Sequence, residues 1–180
     1  MIVAGIDLSL TSTGIAMANP QGGHFTGQVE SVGHDGDSLG QRHDRLWAIA
    51  DKVILHVMGS DLIVIEGPSL NSKFGHPHDR SGLWWMVVSR LMHSGLTVIE
   101  VPPPNRMQYA TGKGQAKKDV VLAAAIRRYP DWDITGNDVA DSVILCAMGC
   151  RYLGQPLEES LPATHLKAMA KVRWPQLDPL

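Results

Sequence analysis

The first 31 residues are apolar in three short bursts, IVAGIDLS, TGIAMAN and HFTGQVES, separated by LTS and by the turn-forming PQGG. Short apolar runs with tight separators predict three strands in an antiparallel meander. MIVAGID is apolar at nearly every position rather than at alternate ones, which predicts a central strand covered on both faces. From about 37 to 58 the rhythm changes, and Leu39, Leu46, Ala50, Val53 and Val57 fall at helical spacing, the stripe of an amphipathic helix. DLIVIEGP then reads as a short buried parallel strand. A helix over about 79–94 follows, and LTVIEVPP gives the next strand.

PPPNRMQYATGKGQ reads as a loop with a helical turn. AKKDVVLAAAIRRYP predicts a helix stopped at Pro130, and NDVADSVILCAMGCRYLG a helix stopped at Gly154. A three-strand meander followed by helix–strand–helix–strand–helix–helix predicts an α/β architecture with a mixed sheet flanked by helices. The final segment, 154–180, with four prolines, reads as a C-terminal tail or short helical extension on a domain spanning 1–153. A chain of 180 residues with 44% hydrophobic content buries a full core as one domain.

Helix 79–94 changes the picture in one respect. SGLWWMVVSRLMHS is apolar nearly all round, more than one covered face requires. Trp84, Trp85, Val88 and Leu91 are therefore expected at a two-fold dimer interface, the alternative being a cover supplied by the C-terminal segment with Trp174.

Composition excludes several classes. No apolar run approaches the roughly 18 residues of a membrane span, and no basic stretch precedes an apolar one at the N-terminus, so a cytoplasmic protein is expected. Cys146 and Cys150, four apart in an apolar helix, read as packed free thiols. Net charge is only −2, yet it is unevenly spread: residues 1–100 carry six Lys/Arg against ten Asp/Glu, whereas 106–128 carries Arg106, Lys113, Lys117, Lys118, Arg127 and Arg128 against Asp119 alone. Such a local basic face suits phosphates.

Acids in the wrong place supply the chemistry. Asp7 ends an apolar strand, where burying a lone carboxylate costs several kcal/mol unless it is paired or holds a cation. Glu66 repeats this at the C-terminal end of DLIVIEGP, where open α/β sheets place their ligand sites. Asp138 and Asp141, three apart, share one helix face; alone they would read as an N-cap and a first-turn acid. Four convergent carboxylates with no arginine nearby in sequence repel one another unless divalent cations neutralise them. Oxygen-only ligands suit Mg²⁺ or Mn²⁺, and an ion pair about 4 Å apart is the usual arrangement for phosphodiester hydrolysis. The histidines His24, His34, His43, His76 and His78 lack the spacing of a zinc site.

Together, GIDLSLTSTG, VIEGPS, TGKGQAKKDVV and NDVADSVILCA resemble the successive motifs of RuvC-like Holliday junction resolvases over residues 1–153. The resemblance implies an RNase H-like fold with a mixed five-stranded sheet, a homodimer, and Mg²⁺-dependent endonuclease cleavage of opposed strands at a four-way DNA junction. Asp7, Glu66, Asp138 and Asp141 would be its metal ligands, with Lys117 or Lys118 near the scissile phosphate. The aromatic residue that some relatives carry shortly after the strand glutamate is missing. Phe74, among Lys73, His76, His78 and Arg80, is the candidate to stack on a base in its place. No helicase partner is inferable.

Three other readings use the same residues. GID with TSTG also resembles the phosphate-binding hairpin of sugar kinases and actin, which need a second domain of similar size. An RNase H-type enzyme acting on RNA–DNA hybrids would use the same acids. A non-catalytic junction-binding protein would gain by losing charge that repels DNA.

Overall fold

A computed structural model describes residues 1–19, 21–68 and 76–176. Five strands, β1 (Val3–Asp7), β2 (Ser12–Ala18), β3 (His24–Glu30), β4 (Leu62–Glu66) and β5 (Thr97–Val101), form one sheet in the order β3-β2-β1-β4-β5. The meander pairs antiparallel, and β1, β4 and β5 run parallel. The sheet is mixed and β1 is central, as the apolar pattern predicts.

Helices cover both faces. α1 (Leu39–Val57) begins at Ser38, whose hydroxyl accepts from the Gln41 amide while the Gln41 side chain accepts from the Ser38 amide, a reciprocal capping box. α1 and α2 (Pro77–His93) pack over Ala4, Ile6, Ile15, Ile63 and Ile65. The opposite face, with Val3, Ala16, Leu62 and Val64, is covered by α3 (Pro103–Thr111), α4 (Lys118–Arg128) and α5 (Asn137–Tyr152). Alternation along a strand assigns faces, so Asp7 shares the face of Val3 and Glu66 that of Leu62 and Val64. One step beyond the last register pair, Ile6 opposite Ile65, Asp7 and Glu66 stand side by side.

α5 is buried from Val139 through Cys150, the signature of a helix enclosed on all sides. It lies against the sheet because Gly5 and Gly14 carry no side chain. A Cβ on Gly5 would sit 2.5 Å from the Cys146 amide nitrogen, and one on Gly14 would overlap the Asp138 carbonyl. This seats the first turn of α5 over the end of β1, where Gly14 is the register partner of Asp7. Cys146 and Cys150 are free and buried, and the Cys146 thiol donates to the Val3 carbonyl.

Two expectations change. The triple proline begins a nine-residue helix: proline is tolerated at the first helical positions, where an amide would be unpaired anyway. Trp84, Val88 and Leu91 of α2 are buried within their own chain, against α1 and the sheet; of the residues expected at an interface, only Trp85, 64% exposed, faces outward. Residues 155–176 pack against the α5 side of the domain. They carry a short helix, α6 (Ala163–Leu166), and their Leu157, Leu161, Ala168 and Val172 belong to the α5-side core. Glu158 is buried there, accepting from the Tyr109 hydroxyl at 3.0 Å, from Arg151 at 3.0 Å and from the Tyr129 hydroxyl. Trp174 stacks on Tyr152 rather than covering α2. Among the described residues no helix is long and apolar enough to cross a membrane.

Candidate active site

The parallel pairing of β1 with β4 delivers Asp7 and Glu66 to one end of the sheet, and α5, held down at Gly14, delivers Asp141 beside them. One oxygen from each of these three carboxylates lies within 4.8 Å of the others. Asp138 stands outside that group, although its charge acts on both Asp7 and Asp141. It does not cap the helix: the N-cap is Gly136 and no side chain caps it, so Asp138 sits inside the first turn.

An arginine lies in the middle. Arg106 of α3 is buried, its Nε donating to Glu66 Oε2 at 2.8 Å, its Nη2 to Glu66 Oε1 at 3.2 Å and its Nη1 to Asp141 Oδ1. By sequence Arg106 belongs with the DNA-binding cations, and no arginine stands near the acids along the chain. The structure brings it 40 residues along the chain from Glu66 into the cluster, so its charge is turned inward. A local signal existed: on a helix, Arg106 shares a face with Tyr109 and Ala110, and all three are buried, a pattern hidden once three prolines suggest a loop.

One guanidinium does not neutralise the cluster. Burial, followed by repulsion from Glu66 and Asp141, raises Asp7 well above the ordinary carboxylate range, with Arg106 opposing and Asp138 adding. Burial likewise pushes Asp141 up to about 7, against the attraction of Arg106 and Lys118 and with help from Glu66 and Asp138. Carboxylates held this way take up either protons or a cation. The donor set is hard oxygen only and fits a divalent ion of the Mg²⁺ or Mn²⁺ type.

Asp7 and Glu66 open into a cleft of roughly 170 Å³ that Pro68, Arg80, Trp84 and Pro103 also line. At about 30 Å³ per water it has room for about five water molecules. Trp84 fixes one wall, its indole N–H donating to the Glu66 carbonyl at 2.9 Å, a role that only the folded chain reveals. Arg80 lines the cleft beside Asp7, with His76 and His78 exposed at the start of α2. Lys113, Lys117 and Lys118 are exposed where α3 passes into α4, and Lys118 lies close enough to act on Asp141. Lys73 and Phe74 lie outside the described residues.

The solved structures most informative for this arrangement are those of RuvC. The Thermus thermophilus RuvC structure superposes with a TM-score of 0.67 over 86% of this chain and 98% of that one, at 16% identity. The chain has the RuvC fold. The same protein from T. thermophilus in complex with its Holliday junction substrate gives a TM-score of 0.63 over 86% of this chain and 97% of that one, at 16% identity. The yeast mitochondrial Holliday junction resolvase matches at 0.53 and 12% identity, over 85% of this chain and 79% of its own. No protein-family model and no curated protein matches the sequence. The RNase H-like sheet that the motifs imply is thus the one observed, with Asp7 and Glu66 of this chain at the ends of β1 and β4.

Proposed function

We propose that this protein is a divalent-metal-dependent endonuclease that hydrolyses phosphodiester bonds in branched DNA, with the four-way junction as its preferred substrate. The observation that carries this reading is the convergence of Asp7, Glu66 and Asp141 within 4.8 Å on the RuvC fold, one example of which is solved with a Holliday junction. Asp7, Glu66, Asp138 and Asp141 would hold Mg²⁺, with Mn²⁺ able to substitute, and four acids suit two ions. A bound ion supplies Lewis acidity, favouring ionised water near neutral pH and stabilising charge on the leaving oxygen.

The chain's own residues do the rest. The carboxylates orient the reacting phosphate through what they hold and provide no nucleophile. Lys118, or Lys117 beside it, places positive charge next to the cluster, where negative charge grows on the phosphoryl oxygens. His76, His78 and Arg80 on one flank, and Lys113 and Lys117 on the other, contact phosphates of the arms. Symmetric cutting needs a second active site, and a homodimer built on the outward side of α2 around Trp85 supplies it.

Cleavage of a four-way junction, a linear duplex and an RNA–DNA hybrid, each with Mg²⁺, Mn²⁺ or Ca²⁺, tests the reading. Junction cleavage with Mg²⁺ and Mn²⁺ is expected, with Asp7→Asn abolishing cleavage and sparing junction binding. Unchanged cleavage by Asp7→Asn overturns the site. Preference for the hybrid moves the protein to RNase H-type chemistry on the same acids.

A further inference from the structure

Arg106 differs from every surface cation of this chain. Its side chain is only 10% exposed, and all three guanidinium nitrogens are committed to carboxylates. Those carboxylates are two of the three in the cluster. Its backbone is fixed as well: Asn105 Nδ2 donates to the Ala168 carbonyl at 2.8 Å, Gln108 Nε2 to that of Thr164 at 3.1 Å, and Tyr109 is tied into the Glu158–Arg151 network. These bonds tie α3 to Arg151 and to residues 158–168 beside the site.

With all three carboxylates ionised, as ion binding requires, one guanidinium leaves a formal charge of −2, so a single arginine compensates the cluster only in part. The compensation is uneven. Both Glu66 oxygens are taken by the arginine fork, whereas Asp141 offers it only Oδ1. A carboxylate oxygen has lone pairs to spare, but a cation approaching Glu66 meets a fixed positive charge at hydrogen-bond distance.

We infer that Arg106 is a built-in counter-cation that competes with the divalent ion for Glu66 and Asp141, holding both carboxylates in place when the site is ion-free and weakening ion binding. The inference rests on the reading of Asp7, Glu66 and Asp141 as ligands. Arg106 is on this account a positioning residue: it acts on the ligand oxygens and not on the substrate. Arg106→Gln removes the competing charge, and Arg106→Lys keeps a charge but loses the fork, so it satisfies one carboxylate at a time.

Mn²⁺ titration of the full chain, followed by the electron paramagnetic resonance of free Mn²⁺, reads the competition without any turnover. Arg106→Gln is expected to bind Mn²⁺ roughly tenfold more tightly than wild type and Arg106→Lys a few-fold more tightly, a tenfold change corresponding to about 1.4 kcal/mol. In EDTA, Arg106→Gln should melt below wild type, because two buried carboxylates lose their partner, and Ca²⁺ should raise its melting temperature by more than it raises that of wild type. If neither variant binds Mn²⁺ more tightly while Asp7→Asn loses binding, the counter-cation role is wrong and the ligand assignment stands. If Asp7→Asn binds Mn²⁺ as wild type does, the ligand assignment itself fails. Should Arg106→Gln not fold, Arg106→Lys with wild-type affinity overturns the proposal.

Discussion

Gly14→Ala tests the link between the close packing of α5 and the chemistry at its first turn. The added Cβ would overlap the Asp138 carbonyl carbon and oxygen and lie 2.9 Å from the Val139 nitrogen, where ordinary contact begins near 3.4 Å. All three atoms are backbone, so no rotamer change relieves the clash. The helix start and β2 must part by about 1 Å or more, at a cost of ~1–3 kcal/mol for overpacking. The displacement falls on the turn that carries Asp138 and Asp141, opposite Asp7. A misplacement of this size costs on the order of 100-fold in rate when it shifts reacting groups.

Gly14→Ala should therefore melt several degrees low, bind a four-way junction normally through its surface cations, and cleave it about 100-fold more slowly under single-turnover conditions at saturating Mg²⁺. Gly40→Ala is the control: a Cβ there meets nothing within 4 Å, and alanine gains about 0.5–1 kcal/mol over glycine inside a helix. Wild-type cleavage by Gly14→Ala refutes the claim that contact with β2 positions the α5 acids.

Two further predictions follow from charge and from exposure. The ordinary Asp value of 3.8 becomes about 7 for Asp141 in the folded chain, so its contribution to stability is whole below about pH 3.8 and lost as pH rises through 7, a ceiling of ~4 kcal/mol at about 1.4 kcal/mol per pH unit; Asp7 acts in the same direction. In EDTA, wild type should lose more stability between pH 5.5 and 8.5 than Asp141→Asn does, measured by urea denaturation, and equal losses refute this. Light scattering at micromolar concentration should give a dimer for wild type and a shift toward monomer for Trp85→Ser, with little change in melting temperature because Trp85 is exposed; a monomeric wild type removes the interface.

Much of the fold is legible in local pattern. Ser38 and Gln41 announce the start of α1, Gly154 with its φ of 74° the end of α5, and the unbroken apolar run of MIVAGID its central place. Asp7 and Glu66 were conspicuous because an acid closing an apolar strand needs compensation, and two such strands in parallel bring their ends together. These features report on a segment's own faces.

What the pattern along the chain leaves undecided is the partner each face meets. The apolar wrapping of α2 predicted a second protein surface, yet α1 and the sheet take up Trp84, Val88 and Leu91, because a helix at the margin of a layer has neighbours on two sides. The proline-rich segment after Gly154 reads as a tail or short helical extension, and its pattern does not tell that Glu158 meets Tyr109, Tyr129 and Arg151. Arg106 is the sharpest case. By sequence it is a cation in a basic stretch, suited to phosphate; only the packing of α3 against the end of the sheet turns it onto Glu66 and Asp141. Residue type and spacing by themselves determined that this chain gathers carboxylates at the end of a mixed sheet. Tertiary structure decided what compensates them, because Coulomb interactions depend on distance in space, and 40 residues of chain separate charges that the fold brings to 2.8 Å.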